Sequence, residues 1–415
     1  MDTTIKFDKQ FSLLSYEITT QLSNDEIKKN GIYFTPYFII KRCIDRIKEL
    51  ELHNTLFIQK ILEPCCGSCE FLLLLDEYFN GKNIDAIEKN ISIYDKTQHI
   101  QLKNNKLKHV CNDFLHVNET EKYDLIIGNP PYNVLNKNDI SEKYFKYFDG
   151  RPNIFILFII ECLKKLNKDG LLCFVLPINF LNCLYYDKTR NYIHHNFKIH
   201  DIILIKETKF MKTKQDVFIL IIQNTHSQNK NKNYVLKINN NIIFHDPLNL
   251  NTLKEYTSNC TYLNKLNFRI RVGNVIWNEH KRILTDDATQ SLLIYNNYIQ
   301  NNNLEIVQFK NQDKKNYIQR KGVNTPIIII NRGYGMGKYN FNYALIDIEQ
   351  DYCVENHCLI LEYQGNKSKD EAKKVYEKII HSFENPKTHA FIDIYFKNNA
   401  INKEELLNIL PIYDF

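Results

Sequence analysis

Glycine and proline are scarce in this chain: 12 and 10 among 415 residues, under half of the roughly 7% and 5% that average usage would supply. A collagenous, linker-rich or disordered chain is thereby excluded. Long apolar runs are missing as well. The best, 154–160, stops at Glu161, far short of the roughly 18 residues that crossing a bilayer requires. The opening Met1-Asp2-Thr3-Thr4 has neither a basic leader nor an apolar core, so the expected location is intracellular and cytoplasmic, away from membranes. A disulfide framework is not indicated either. The 11 cysteines are odd in number, and Cys43, Cys162, Cys173 and Cys358 sit inside apolar segments, as reduced core thiols do. Cys66-Gly67-Ser68-Cys69 has CxxC spacing, yet no second CxxC or spaced histidine pair accompanies it, and no metal is expected. Charge is unremarkable, with a net +6 from 54 Lys+Arg and 48 Asp+Glu.

The few prolines and glycines are grouped. Pro36, Pro64, Pro130 and Pro131, with Gly67 and Gly128, fall in short segments of the first third, and Gly333, Gly335 and Gly337 fall together late in the chain. Between the early ones runs an alternation of short apolar strands and helices. Thr35-Pro36 predicts a helix start, with Thr as N-cap and Pro first in the helix. The apolar residues Ile39, Ile40, Cys43, Ile44 and Ile47 then share one face. Strands are predicted over 57–62, 83–87, near Cys111, 123–128, 171–176, near 202–205 and 217–222, with a helix over 154–166. This pattern predicts an α/β fold: a mostly parallel, Rossmann-like sheet covered on both faces. Ligands of such sheets bind at the strands' carboxyl ends, where Glu63, Glu88, Asp113 and Asn129 stand. From 223 to 241 the chain turns rich in Asn, Lys and Gln. The domain boundary is placed there, separating 1–228 from an α+β domain at 229–415 with strands over 326–330 and 358–361 and a helix over 369–383.

Asn129-Pro130-Pro131-Tyr132 is the sharpest chemical signal. An exocyclic amine on an aromatic ring is a poor nucleophile, because its lone pair is delocalised. Two hydrogen-bond acceptors set against its N–H bonds favour the tetrahedral nitrogen that attack needs. The Asn129 side-chain oxygen and the Pro130 carbonyl suit that task, the prolines fix the carbonyl's direction, and Tyr132 offers a face for stacking a base. The plain alternative is a proline-stiffened turn after a buried strand. The loop 63–69 has the character of a nucleotide-binding turn but lacks GxGxxG, so it does not meet the dinucleotide fingerprint. Glu88, 21 residues past Gly67, stands where an acid can take a ribose hydroxyl pair, although a surface carboxylate would look the same.

In their order along the chain, Gly31-Ile32-Tyr33-Phe34-Thr35-Pro36, the 63–69 loop, Glu88, Asp113-Phe114 and Asn129-Pro130-Pro131-Tyr132 resemble the gamma-class N6-adenine DNA methyltransferases. The similarity is to the TaqI-type enzymes of restriction-modification systems and of large DNA viruses. It covers roughly residues 20–225, on the scale of a domain. The resemblance implies an S-adenosylmethionine-dependent enzyme that flips an adenine from duplex DNA, with residues 1–228 catalytic and 229–415 recognising the target. It implies that Thr35 holds the methionine carboxylate, that Glu63, Cys65 and the Gly67 loop line the cofactor, and that Glu88 takes its ribose. Asp113 and Phe114 would take its adenine, and Asn129 would also line the cofactor. Asn129, Pro130 and Tyr132 would receive the target base, with Phe210, in the loop before the strand at Val217, as a second stacking ring. In the C-terminal half, Lys310, Lys314, Lys315, Arg320 and Lys321, with Tyr317 among them, form a basic stretch, and Arg332 adjoins the glycine-rich 333–337 turn. Lys310, Lys314, Arg320 and Arg332 are the expected DNA contacts, while Trp277 is expected in the core. The resemblance also suggests a monomer, a cognate restriction endonuclease as partner, and a short palindrome containing TCGA. One residue departs from the pattern: Cys69 stands where these enzymes usually have glycine. Two other readings remain open, an RNA adenine as acceptor and a DNA-binding homologue with weakened catalysis.

Overall fold

The structure is a computed structural model that describes residues 7–8, 10–53, 56–117, 120–205, 210–212, 215–225, 231–333, 339–396 and 400–415. It divides into two compact units, Met1–Lys237 with Asn241–Leu250, and Ile238–Asn240 with Asn251–Phe415. The boundary expected between 228 and 229 lies outside the described residues.

The first unit is built on a seven-stranded sheet. Its strands are β1 (Lys60–Glu63), β2 (Asn83–Glu88), β3 (Lys106–Cys111), β4 (Tyr123–Gly128), β5 (Leu166–Pro177), β6 (Lys198–Leu204) and β7 (Val217–Gln223), in the spatial order β3-β2-β1-β4-β5-β7-β6. The first five are parallel, and β7 runs antiparallel to both β5 and β6. Strands β4, β5 and β7 are near-continuous runs of Ile, Leu, Val and Phe with both faces buried, as a sheet covered on two sides requires. Helices α1 (Leu13–Gln21) and α2 (Asn24–Asn30) precede the sheet, followed by α3 (Tyr37–Leu52), α4 (Glu70–Tyr78), α5 (Ile91–Thr97), α6 (Ile154–Lys164) and α7 (Asp187–Asn196). Helices α3 and α4 pack on one face with Ile61 of β1 and Leu125 and Ile127 of β4. The strongly apolar α6 packs on the other with Leu62 and Ile126.

The chain reverses its order between β1 and β4: β2 and β3 lie on one side and β5 on the other. Divergent connections open a crevice at such a switch point.

The second unit carries two four-stranded sheets. One joins β8 (Phe268–Val272), β15 (Cys358–Tyr363), β12 (Ile327–Asn331) and β13 (Tyr343–Ile346), all antiparallel. The other joins β9 (Leu284–Thr285), β11 (Tyr317–Ile318), β10 (Ser291–Ile294) and β14 (Tyr352–Val354), with β10 and β14 parallel. A core of Leu292, Ile294, Tyr298, Ile318, Ile329 and Ile360 joins them, and helices α8 (Lys369–Glu384) and α9 (Pro386–Tyr395) follow. Among the described residues, no helix is long and apolar enough to cross a membrane.

Candidate active site

Each of the four strand ends marked in the sequence contributes to one cavity of about 290 Å³ at the carboxyl side of the sheet. Thr35, Glu63, Cys65, Gly67, Glu88, Asp113, Phe114 and Asn129 all line it, which brings together every residue expected around the cofactor. The loop after β1 is held by its backbone. Cys66 N donates to Ile87 O on β2, and Gly67 N donates to Glu88 Oε2 at 2.9 Å. Gly67 has φ +51, and a Cβ there would stand 3.2 Å from the Phe34 ring. Glycine leaves the backbone open to close approach at this point.

Glu63 is 1% exposed, and its Oε2 is buried without a hydrogen-bond partner among the described residues. Burial, with Cys69, Glu70 and Glu88 adding to it, pushes its carboxyl well above the ordinary range. A buried acid without a partner is costly unless a donor or cation reaches it. The ammonium and sulfonium of S-adenosylmethionine are such groups, and the chamber in front of Glu63 fits them. Glu88 is also raised by burial, although the N–H groups of Asn90 and Gly67 oppose the shift. Glu70, buried at the start of α4, is raised by burial against bonds from Ser12 and Ser68. This serine–glutamate cluster has no signature in the sequence, because Ser12 and Ser15 lie 58 and 55 residues from Glu70 in the chain.

At the end of β3, burial works against Asp113, but Lys89, the Leu115 N–H and His116 hold its carboxyl below the usual range. Lys89 Nζ lies 2.8 Å from it. The Phe114 ring is backed by Phe158, with centroids 5.2 Å apart. Neither Lys89 nor Phe158 was legible beforehand. Lys89 follows a strand end already assigned to Glu88, and Phe158 lies within an apolar helix whose every position looks alike.

Asn129 ends β4. Its Nδ2 donates to Thr35 Oγ1 at 3.0 Å and to Tyr33 O at 3.3 Å, which fixes its amide with the oxygen turned the other way. Thr35 is not the expected N-cap. Helix α3 starts at Tyr37 with Pro36 in the cap position and no side-chain cap bond, because the Thr35 hydroxyl is engaged with Asn129 instead. Pro130 is buried. Tyr132 does not present an open stacking face: its ring meets Phe155 edge-on at 6.0 Å, and its hydroxyl donates toward Asn129 Oδ1 at 2.6 Å and Val175 O at 3.0 Å. Phe210 is likewise buried, packed with Ile39, Ile40 and Val217. Pro130, Tyr132 and Phe210 do not line the cavity.

In the second unit the basic stretch is not one open face. Lys310, Arg320 and Lys321 are exposed, and the last two line a concavity with Ser291, Gln319 and Asp351. Lys315 pairs with Asp286 at 2.6 Å. Lys314 is turned inward, its ammonium 4.2 Å from the Tyr295 ring centroid, 4.4 Å from Phe309 and 5.5 Å from Trp277, and burial lowers its pKa. Aromatic faces attract a cation electrostatically, so this lysine is held against the core rather than offered to DNA. Trp277 packs at the edge of that core. Arg332 donates to Asn356 O at 3.3 Å, and residues 334–338 of the adjoining turn lie outside the described residues.

A doubly wound sheet of this order, with an acid-ended first strand, a tight loop and a cavity at the switch point, defines a Rossmann-like methyltransferase with a second domain appended. Residues 43–211 match the family model of the Eco57I restriction-modification methylases. The chain is 27% identical over 412 residues to the Type II methyltransferase M.CvrRI of Paramecium bursaria Chlorella virus XZ-6E, covering 98% of this chain and 100% of that one. It is 22% identical over 416 residues to the modification methylase CviBIII of Paramecium bursaria Chlorella virus NC1A, covering 98% and 99%. Among solved structures, that of the DrdV–DNA complex covers 97% of this chain and 58% of its own, with a TM-score of 0.53 and 14% identity, a likeness of fold. The resemblance to restriction-modification methylases is thereby borne out. S-adenosylmethionine is the cofactor, and the protein is a DNA methyltransferase.

Proposed function

We propose that the protein methylates the N6 amine of an adenine flipped out of duplex DNA, with Met1–Lys237 catalytic and most of the C-terminal unit reading the target. One observation carries this reading: Asn129-Pro130 follows the central strand beside the cavity, and the Asn129 amide is oriented by Thr35 and Tyr33. S-adenosylmethionine, when bound, supplies an electrophilic methyl group. The chain's residues do the rest. Glu63 meets the cofactor's cationic end, Glu88 its ribose, and Asp113 with Phe114 its adenine. Asn129 Oδ1 and the Pro130 carbonyl accept the two N–H bonds of the target amine, which localises the nitrogen lone pair without a strong base.

An amine inside a duplex cannot reach a buried methyl donor, so the base must leave the stack at a cost of a few kcal/mol. Tyr132 then has to release Asn129 Oδ1 and turn its ring to the base, and Phe210 has to leave its packed position to stack on the other side. Lys310, Arg320, Lys321 and Arg332 contribute phosphate or base contacts from the second unit. A short target such as a TCGA palindrome, and an endonuclease cutting the same site, accompany this reading.

Incubation with unmethylated duplex DNA and radiolabelled S-adenosylmethionine tests it. Label in N6-methyladenine, lost in Asn129→Ala, is the expected result; label confined to RNA, or to another base, rejects it.

A further inference from the structure

Outside the set of groups used above, one cluster of ligating atoms stands out. The loop after β1 brings Cys66 and Cys69 against His109 of β3, and their ligating atoms, Sγ of each thiol and a ring nitrogen of the histidine, all lie within 4.8 Å of one another. Cys66 Sγ is 3.2 Å from His109 Nε2. In tetrahedral zinc sites with Zn–S of about 2.3 Å and Zn–N of about 2.0–2.1 Å, ligand atoms end about 3.5–3.8 Å apart, between those two values. The His109 ring is held edge-on by Tyr94, with centroids 4.9 Å apart. Both thiols are free and buried, and the ionisable neighbours that bear on Cys66, besides Cys69, are the acids Glu63 and Glu88. The CxxC spacing alone carries no metal expectation, because the third ligand is 40 residues beyond Cys69, and the parallel pairing of β2 with β3 brings it there.

Cys69 supplies a second, independent reason. It has φ +68 and ψ +19, the left-handed region that residues with a Cβ avoid. A glycine would hold the same turn without strain, so the sulfur needs a reason for being there.

We propose that Cys66, Cys69 and His109 bind a zinc-class divalent cation that clamps the cofactor loop to β3. Binding displaces one proton from each thiol, forms two metal–sulfur bonds and one bond to neutral His109 Nε2, and leaves a fourth position for water on the half-buried histidine side. The metal takes no part in methyl transfer. It fixes the backbone around Gly67, whose N–H orients Glu88.

The full-length protein, reduced and stripped of metal, is titrated with cobalt(II) and then with zinc. The expected result is stoichiometric uptake with thiolate-to-cobalt charge-transfer absorption and tetrahedral ligand-field bands, both lost on zinc addition, and a higher melting temperature with zinc. Cys69→Gly suits the left-handed turn and therefore keeps the fold. It should abolish the charge-transfer band and the zinc-dependent melting shift, as should His109→Asn. Absence of the band in reduced wild-type protein, its persistence in Cys69→Gly, or formation of a Cys66–Cys69 disulfide in the presence of saturating zinc overturns the proposal. None of these readouts depends on methyl transfer, so failure of the metal site and failure of the proposed activity are distinguishable.

Discussion

At the scale of single residues, the hydrogen bond from Tyr132 to Asn129 Oδ1 is the most consequential contact in the site. It occupies the acceptor that the proposed reaction assigns to the substrate amine. A neutral hydrogen bond contributes about 0.5–1.5 kcal/mol net, so its removal should favour DNA-bound enzyme by up to about tenfold. Tyr132→Phe keeps the ring for stacking and is expected to lower KM for DNA with kcat maintained. Steady-state kinetics check this, and a rise in KM contradicts it. Glu63 gives a pH-dependent counterpart. Its folded carboxyl is raised well above the ordinary value by burial, so between those two values the free protein holds a proton that the unfolded chain has released. Stability from that proton is present at low pH and fades as pH rises through the raised pKa. A cationic cofactor favours the ionised form. Binding of S-adenosylmethionine within this window should therefore release a proton, seen in calorimetry as a binding enthalpy that varies with the buffer's ionisation enthalpy. Glu63→Gln should weaken binding and remove that variation.

At the scale of elements, Gly31 links the N-terminal segment to the Asn129 loop. It ends α2 in the left-handed region at φ +65, and a Cβ there would lie 2.9 Å from Pro131 Cβ and 3.2 Å from Tyr132 N. Gly31→Ala is expected to destabilise the protein by about 1–2 kcal/mol from the backbone alone, more if Pro131 cannot yield, with a matching fall in melting temperature. A destabilisation far below this would mean that the two segments separate easily. Much at this scale was legible beforehand. The strands at 83–88, 123–128 and 217–223 agree with their apolar runs to within a residue, because strands in the interior of a covered sheet have few polar interruptions. The start of α3 was not: Thr35 looks like a cap locally, but a partner 94 residues away takes its hydroxyl. The same limit applies to Tyr132 and Phe210. Sequence order marks them as aromatics near the site, while their rings pack inward, a matter of rotamer and neighbours that no motif encodes.

On the scale of the whole molecule, the modest net charge of +6 matters less than which cations are open to solvent. Lys314 and Lys315, in the middle of the basic stretch, are taken up by an aromatic cluster and by Asp286, whereas Arg320 and Lys321 stay exposed. Removing one cation that neutralises a phosphate should reduce the slope of log affinity against log salt by about one. Arg320→Ala and Lys321→Ala are expected to weaken DNA binding and flatten that slope, and Lys314→Ala to lower stability with the slope intact. Binding measured from low to moderate salt separates these outcomes.

In the proposed reaction, Asn129 and the cavity beside it direct a methyl group to adenine N6 in duplex DNA. Sequencing that maps N6-methyladenine in DNA treated with the wild-type protein and with Asn129→Ala tests it most directly. N6-methyladenine at one short recurring sequence is expected with the wild type, and a rate on the order of 10²–10³ lower with the variant. Methylation of a different base, or equal N6-methyladenine from both proteins, would contradict it.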